Sequence, residues 1–165
     1  MNLYLEFMFL IGCMAIACWD FLFYKIPNSA IIGVLSLALL HLFAGGVGDW
    51  HHILWVLAAS FSVLVISYVL FSFKLLGAGD GKYMAVAILF LPLKSVFNFL
   101  IIMSLAGLVL AIIYKLAHTR INGLKLFVGE QLPDAYKVVE ETGQTIPYGV
   151  AITAGIIGAY LLIGS

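Results

Sequence analysis

Charge is scarce in this sequence. Asp, Glu, Lys and Arg supply 10% of its 165 residues, where a soluble domain uses about 25% to coat its surface. The deficit excludes an ordinary water-soluble globule and points to lipid as the covering solvent, in keeping with 64% hydrophobic residues. An excess of either sign is missing too. Eight basic and eight acidic residues leave the formal net charge at zero, so no basic surface suggests nucleic acid and no acidic tail stands out. Cysteine is nearly absent: Cys13 and Cys18 share one apolar segment and have no partner pair elsewhere. Neither a disulfide framework nor a cysteine metal site is expected, and both read as small residues on a buried helix. No Lys or Arg precedes Lys25, so the first apolar stretch lacks the positive start of a cleaved signal. It is expected to stay as a membrane helix.

What is present is a series of apolar runs. A helix needs about 20 apolar residues to cross the hydrocarbon core, and candidates lie at Leu3–Trp19, Ser29–Ala44, Ile53–Phe73, Lys82–Leu93, Val96–Ala117 and Pro147–Ile163. The fourth is short, and Pro92 and Lys94 cut it from the fifth. Six crossings with the N-terminus outside put Lys25, Lys74, Lys82, Lys115, Arg120, Lys125 and Lys137 on the inner side, leaving only Lys94 outside. Basic residues near span ends prefer the cytoplasm, and dropping the fourth crossing would move the most basic loop outward. The expected fold is therefore all-α: one polytopic domain over residues 1–165, a bundle of six transmembrane helices with both termini outside. His118–Ile146 reads as one long inner loop, whose acids Glu130, Asp134, Glu140 and Glu141 are a solvated surface. Gly45–His52 reads as an outer turn. Its Asp49, His51 and His52 are not expected to bind metal, and His41 is expected to be a hydrogen-bonded packing residue.

Two acids stand apart from the rest. Asp20 ends the first span and Asp80 begins the fourth, so the topology brings both to the inner boundary. Acids at such depth are costly and tend to mark function. Two carboxylates close together cannot both ionise cheaply and share a proton. The ionised one can then take a proton from water while the protonated one polarises a scissile carbonyl, which is aspartic protease chemistry. No metal, nucleophilic Ser or Cys, or cofactor is required. A helix ending at Asp20 would set that carboxylate at the negative end of a dipole, which suggests Asp20 as the acid and Asp80 as the base. Asp80 could alternatively serve as a helix N-cap. It lies in "LLGAGDGKYM", Leu75–Met84, where Gly77, Gly79 and Gly81 are expected to bind substrate, because bare backbone permits unusual dihedrals and close approach of an extended peptide. The same stretch is not a P-loop: the spacing is wrong and Tyr83 follows Lys82, so no nucleotide is expected.

"GAGD" at Gly77–Asp80 resembles the Gly-x-Gly-Asp motif shared by type IV prepilin peptidases, archaeal preflagellin peptidases and presenilin-like proteases. "DFLFYKIPN" (Asp20–Asn28), "GDGKYMAVAILFLP" (Gly79–Pro92) and "IPYGVAITAG" (Ile146–Gly155) resemble the prepilin peptidase pattern in particular. The resemblance implies Asp20 and Asp80 as the catalytic pair, Ile26–Asn28 and Ile146–Gly149 as framework around the cleft, and cleavage of a short basic leader at the cytoplasmic face of a bacterial inner membrane. It implies prepilin and pseudopilin precursors as partners within the lipid bilayer. The chain has no CxxC and no insertion between Asp20 and Ile26, so the methyl transfer of the larger family members is not expected. The compact form is similar to the peptidases of Flp/Tad-type pilus systems. Two other readings use the same acids: a preflagellin-type or other Gly-x-Gly-Asp protease, and a non-enzymatic proton-relay carrier or pilus-assembly scaffold.

Overall fold

The structure, a computed structural model, describes residues 3–44, 50–128 and 146–162. Among the described residues there are six α-helices: α1 (Leu3–Phe23), α2 (Asn28–Ala44), α3 (Trp50–Ser72), α4 (Ala78–Phe90), α5 (Val96–Val128) and α6 (Tyr148–Leu161). A single 3₁₀ turn, Leu93–Ser95, joins α4 to α5. Three helical segments are long and apolar enough to cross a membrane: Tyr4–Phe23, Trp50–Ser72 and Leu93–Leu116. Asn28–Phe43 and Tyr148–Leu161 are shorter apolar helices.

Proline and glycine set the breaks. α1 stops at Phe23, and Lys25-Ile26-Pro27 leads into α2, with the Pro27 carbonyl accepting from the N–H groups of Ala30 and Ile31. Leu91, extended at φ −82° and ψ 143°, ends α4 because a residue before proline is pushed out of the helical region. Several boundaries differ from those expected. α1 runs four residues past Trp19. α4 starts four residues before Lys82 and ends at Phe90. α5 continues through Val128, so residues 118–128 are helical rather than loop. The rest of that expected loop, residues 129–145, lies outside the described residues, as does Asp49 with Gly45–Gly48. His51 and His52 form part of the first turn of α3.

α4 is the centre of the bundle. It packs on α2, α3 and α6, while α6 also packs on α1 and α5. Tyr83 and every residue from Ala85 to Leu91 are buried. Helices in lipid gain little from hiding apolar surface against one another, so close approach and hydrogen bonds must hold them. Both are seen. A Cβ on Gly155 would stand 2.9 Å from the Met103 Cβ, and one on Gly158 would stand 2.8 Å from the Ile102 Cδ1, so α5 and α6 touch backbone to side chain. The Ser60 hydroxyl donates to the Ala85 carbonyl at 2.8 Å, joining α3 to α4. The buried Tyr83 and Thr153 hydroxyls are 2.8 Å apart, and Thr153 Oγ1 lies 3.2 Å from the Cys13 carbonyl, tying α4, α6 and α1 together. Phe9 stacks on Phe90 at 3.7 Å between centroids. At the same end Glu6 is buried and accepts a hydrogen bond from the Tyr160 hydroxyl. His41 packs on the Phe90 ring at 4.6 Å. Its Nδ1 is buried with no hydrogen-bond partner among the described residues, so packing rather than the expected hydrogen bond holds that edge of the ring. Cys13 is buried, but Cys18 is exposed on the outer face of α1. Outward-facing Phe7, Leu22, Leu54, Trp55, Leu105 and Leu108 are all more than half exposed, an apolar coat that suits lipid and not water.

Candidate active site

The two acids reach one cavity from different helices. Asp20 comes from the last turn of α1 and Asp80 from the first turn of α4. Both line a cavity of about 860 Å³. Its walls are the turn after α1 (Tyr24–Ile26), Asn28 of α2, the chain from Phe71 to Leu76, the glycine stretch Gly77–Asp80, Lys82, and Ile146 with Tyr148 before and at the start of α6. Lys25, Lys74 and Lys82 share this lining, and Lys82 donates to the Asn28 Oδ1 at 3.2 Å.

Each carboxylate is fixed by a backbone N–H at a helix start. Asp20, buried at 4% exposure, accepts from the Gly149 N–H at 2.7 Å through Oδ2. Gly149 is the second residue of α6, where N–H groups have no partner inside their own helix. A Cβ on Gly149 would stand 2.8 Å from that same oxygen and 3.0 Å from the Asp20 Cβ, so only glycine lets α6 approach this closely. Asp80 accepts from the Gly77 N–H. Gly77 is the N-cap of α4, extended at φ −72° and ψ 144°. Asp80 is therefore the third helical residue reaching back to the cap, one half of a capping box, and not the N-cap itself. A Cβ on Gly77 would stand 2.5 Å from the Asp80 Oδ2.

Asp80 precedes the apolar run that begins at Lys82. Burial first, and the nearby negative charge of Asp20 second, push its carboxyl up to about 6, with the Gly77 N–H opposing. The two acids are thus electrostatic neighbours. α1 continues past Asp20 to Phe23, so Asp20 stands at the start of the last turn and not at its end, which weakens the dipole-based choice of Asp20 as acid.

The glycines act by close approach rather than by unusual dihedrals, since none of the three adopts positive φ. Gly77 and Gly79 line the aspartate cavity, whereas Gly81 lines an adjoining apolar cavity of about 480 Å³ between α3 and α4. A Cβ on Gly79 would meet the Ile26 Cβ at 3.3 Å, and one on Gly81 the Ser67 Cβ at 2.6 Å. Phe71, Gly77, Ala78 and Lys82 line both cavities.

Tyr24 was not among the residues expected to matter. It lines the aspartate cavity and pairs hydroxyl to hydroxyl with Tyr114 at 3.1 Å. Nothing in the local pattern marks it, because its partner is 90 residues away. Gly149 was legible only as framework in a motif, and its contact with Asp20 spans 129 residues.

No curated protein and no solved structure matches the chain. A family profile does match, over residues 7–112. That match takes in both aspartates and the glycine stretch, while α6 lies beyond it. Membrane-compatible helices, a cavity lined by both carboxylates and this profile agree: the chain is a membrane protein and belongs to the type IV leader peptidase family.

Proposed function

We propose that the chain is an aspartic endopeptidase that removes the short leader from prepilin and pseudopilin precursors, of the Flp type, at the cytoplasmic face of a bacterial inner membrane. The observation that carries this reading is that Asp20 and Asp80 line one cavity within electrostatic reach of each other. The pair titrates as a unit with one shared proton. We assign that proton to Asp80, whose carboxyl is pushed up to about 6 by burial and by the Asp20 charge. Asp20 takes a proton from water as the oxygen attacks the scissile carbonyl, and Asp80 donates a hydrogen bond to that carbonyl as negative charge develops. The proton gained by Asp20 then passes to the leaving amine.

Six crossings with both termini outside support the cytoplasmic placement, since Lys25, Lys74 and Lys82 surround the same cavity and lysines near span ends favour that side. The backbone of Gly77 and Gly79 offers a polar edge for a substrate peptide. The adjoining apolar cavity, with Gly81, gives the precursor's apolar segment a route from lipid to the carboxylates.

Cleavage of an Flp-type prepilin in proteoliposomes tests the reading. Wild type should cut at the leader junction, and Asp20→Asn and Asp80→Asn should each lose about 100-fold or more, the range expected of a general acid or base. A single Asn variant that keeps the full rate would remove the dyad. No cleavage by any version would return the relay or scaffold reading.

A further inference from the structure

Tyr24 occupies a backbone conformation that favours glycine, at φ 52°. It is the first residue after α1, and its N–H closes the last turn by donating to the Asp20 carbonyl at 2.8 Å. Helices commonly end on such a left-handed residue, but glycine or asparagine usually fills the place, because a Cβ there crowds the following carbonyl. A tyrosine persists in this conformation only when its surroundings hold it. The holding contact is visible. The Tyr24 and Tyr114 hydroxyls lie 3.1 Å apart, and their rings meet edge to face at 88° with centroids 6.3 Å apart. Tyr114 belongs to α5, and α1 and α5 are not packed along one another. The phenol pair therefore bridges two helices that little else connects, beside the cavity that Tyr24 itself lines. Tyr114 also lies within the electrostatic reach of Asp20.

We propose that Tyr24 and Tyr114 form a clamp that positions Asp20. Asp20 is held at its side chain by Gly149 of α6 and at its carbonyl by Tyr24, and only the second hold depends on a strained residue. Breaking the phenol pair frees Tyr24 to leave the left-handed region. The last turn of α1 then loosens, and the Asp20 carboxylate loses its fixed place opposite Asp80. Neither tyrosine touches the reacting atoms, so both are positioning residues. The proposal rests on Asp20 being a reacting group.

Two measurements test it on the full chain in proteoliposomes. In steady-state cleavage of an Flp-type prepilin, Tyr24→Phe and Tyr114→Phe should each lower kcat about 10-fold with KM little changed, as expected of a misplaced catalytic group. The double variant should be no worse than either single one, because the two hydroxyls act together. The second measurement needs no substrate. With Cys13 and Cys18 replaced by alanine, a thiol introduced by Asp20→Cys should react with a small maleimide at least about 5-fold faster when Tyr24→Phe or Tyr114→Phe is also present, since local opening exposes it. Equal labelling in all backgrounds, or additive kcat losses, would overturn the clamp. If Asp20→Asn cleaves normally the dyad falls, and the labelling arm still decides whether the tyrosines hold residue 20.

Discussion

At the scale of single residues, the site is defined by where a methyl group does not fit. Gly149→Ala would drive a Cβ to 2.8 Å from the Asp20 Oδ2, and Gly77→Ala would bring one to 2.5 Å from the Asp80 Oδ2. Each should lower kcat by about 100-fold through displacement of a carboxylate, with wild-type levels of folded protein in detergent. Gly33 is the control: nothing lies within 4 Å of its Cβ position, so Gly33→Ala should leave kcat unchanged and stabilise α2 by about 0.5–1 kcal/mol. Asp80 supplies a pH signature. Its folded-state pKa is raised from 3.8 to about 6, so the cost of ionising it in the fold is absent below pH 4 and complete above pH 6. Asp80→Asn should therefore raise the Tm at pH 8 and leave it unchanged at pH 3.5, measured by thermal unfolding in detergent. That Asp20 and Asp80 come together in one cavity was legible in the sequence, because the ends of the apolar runs and the lysine positions pointed both acids to one boundary. The N–H groups that hold them were less so, since a backbone partner leaves no mark on residue type beyond glycine.

At the scale of elements, helix cores were legible and helix ends were not. Hydropathy finds the apolar centre of each run, but the first and last turns are set by caps and tertiary contacts. α4 shows the consequence. Its apolar part begins at Lys82, yet the helix starts at Ala78 because the Asp80 carboxylate reaches back to Gly77. α1 likewise runs on to Phe23 because Tyr24 closes its last turn. Between helices, the contact of Tyr83, Thr153 and Cys13 joins α4, α6 and α1 where apolar matching supplies little force. Thr153→Val keeps the volume and removes the hydroxyl, leaving the buried Tyr83 phenol without this partner. It should cost about 1–3 kcal/mol, with Thr153→Ser costing less, as read by unfolding in denaturing detergent.

At the scale of the whole molecule, sidedness decides on which face of the membrane the proposed cleavage takes place. On the six-crossing reading, single cysteines at Lys25 and Lys74 should label only from the cytoplasmic side, and those at Trp50 and Lys94 only from the other. Labelling of Lys25 and Lys74 from opposite sides would break the topology. α4 also sets a limit on the bilayer around it. Thirteen residues rise about 20 Å at 1.5 Å each, against a hydrocarbon core of about 30 Å. The innermost helix is thus about two turns shorter than the oily layer is thick, and α6, with 14 residues, is nearly as short. Its Asp80 end lies beside three lysines on the cavity of about 860 Å³, and the proposed reaction needs water at that end, the one reagent that lipid would otherwise keep away. A protease in fat must be wetted to hydrolyse anything, and on the proposed reading the short central helix provides the well.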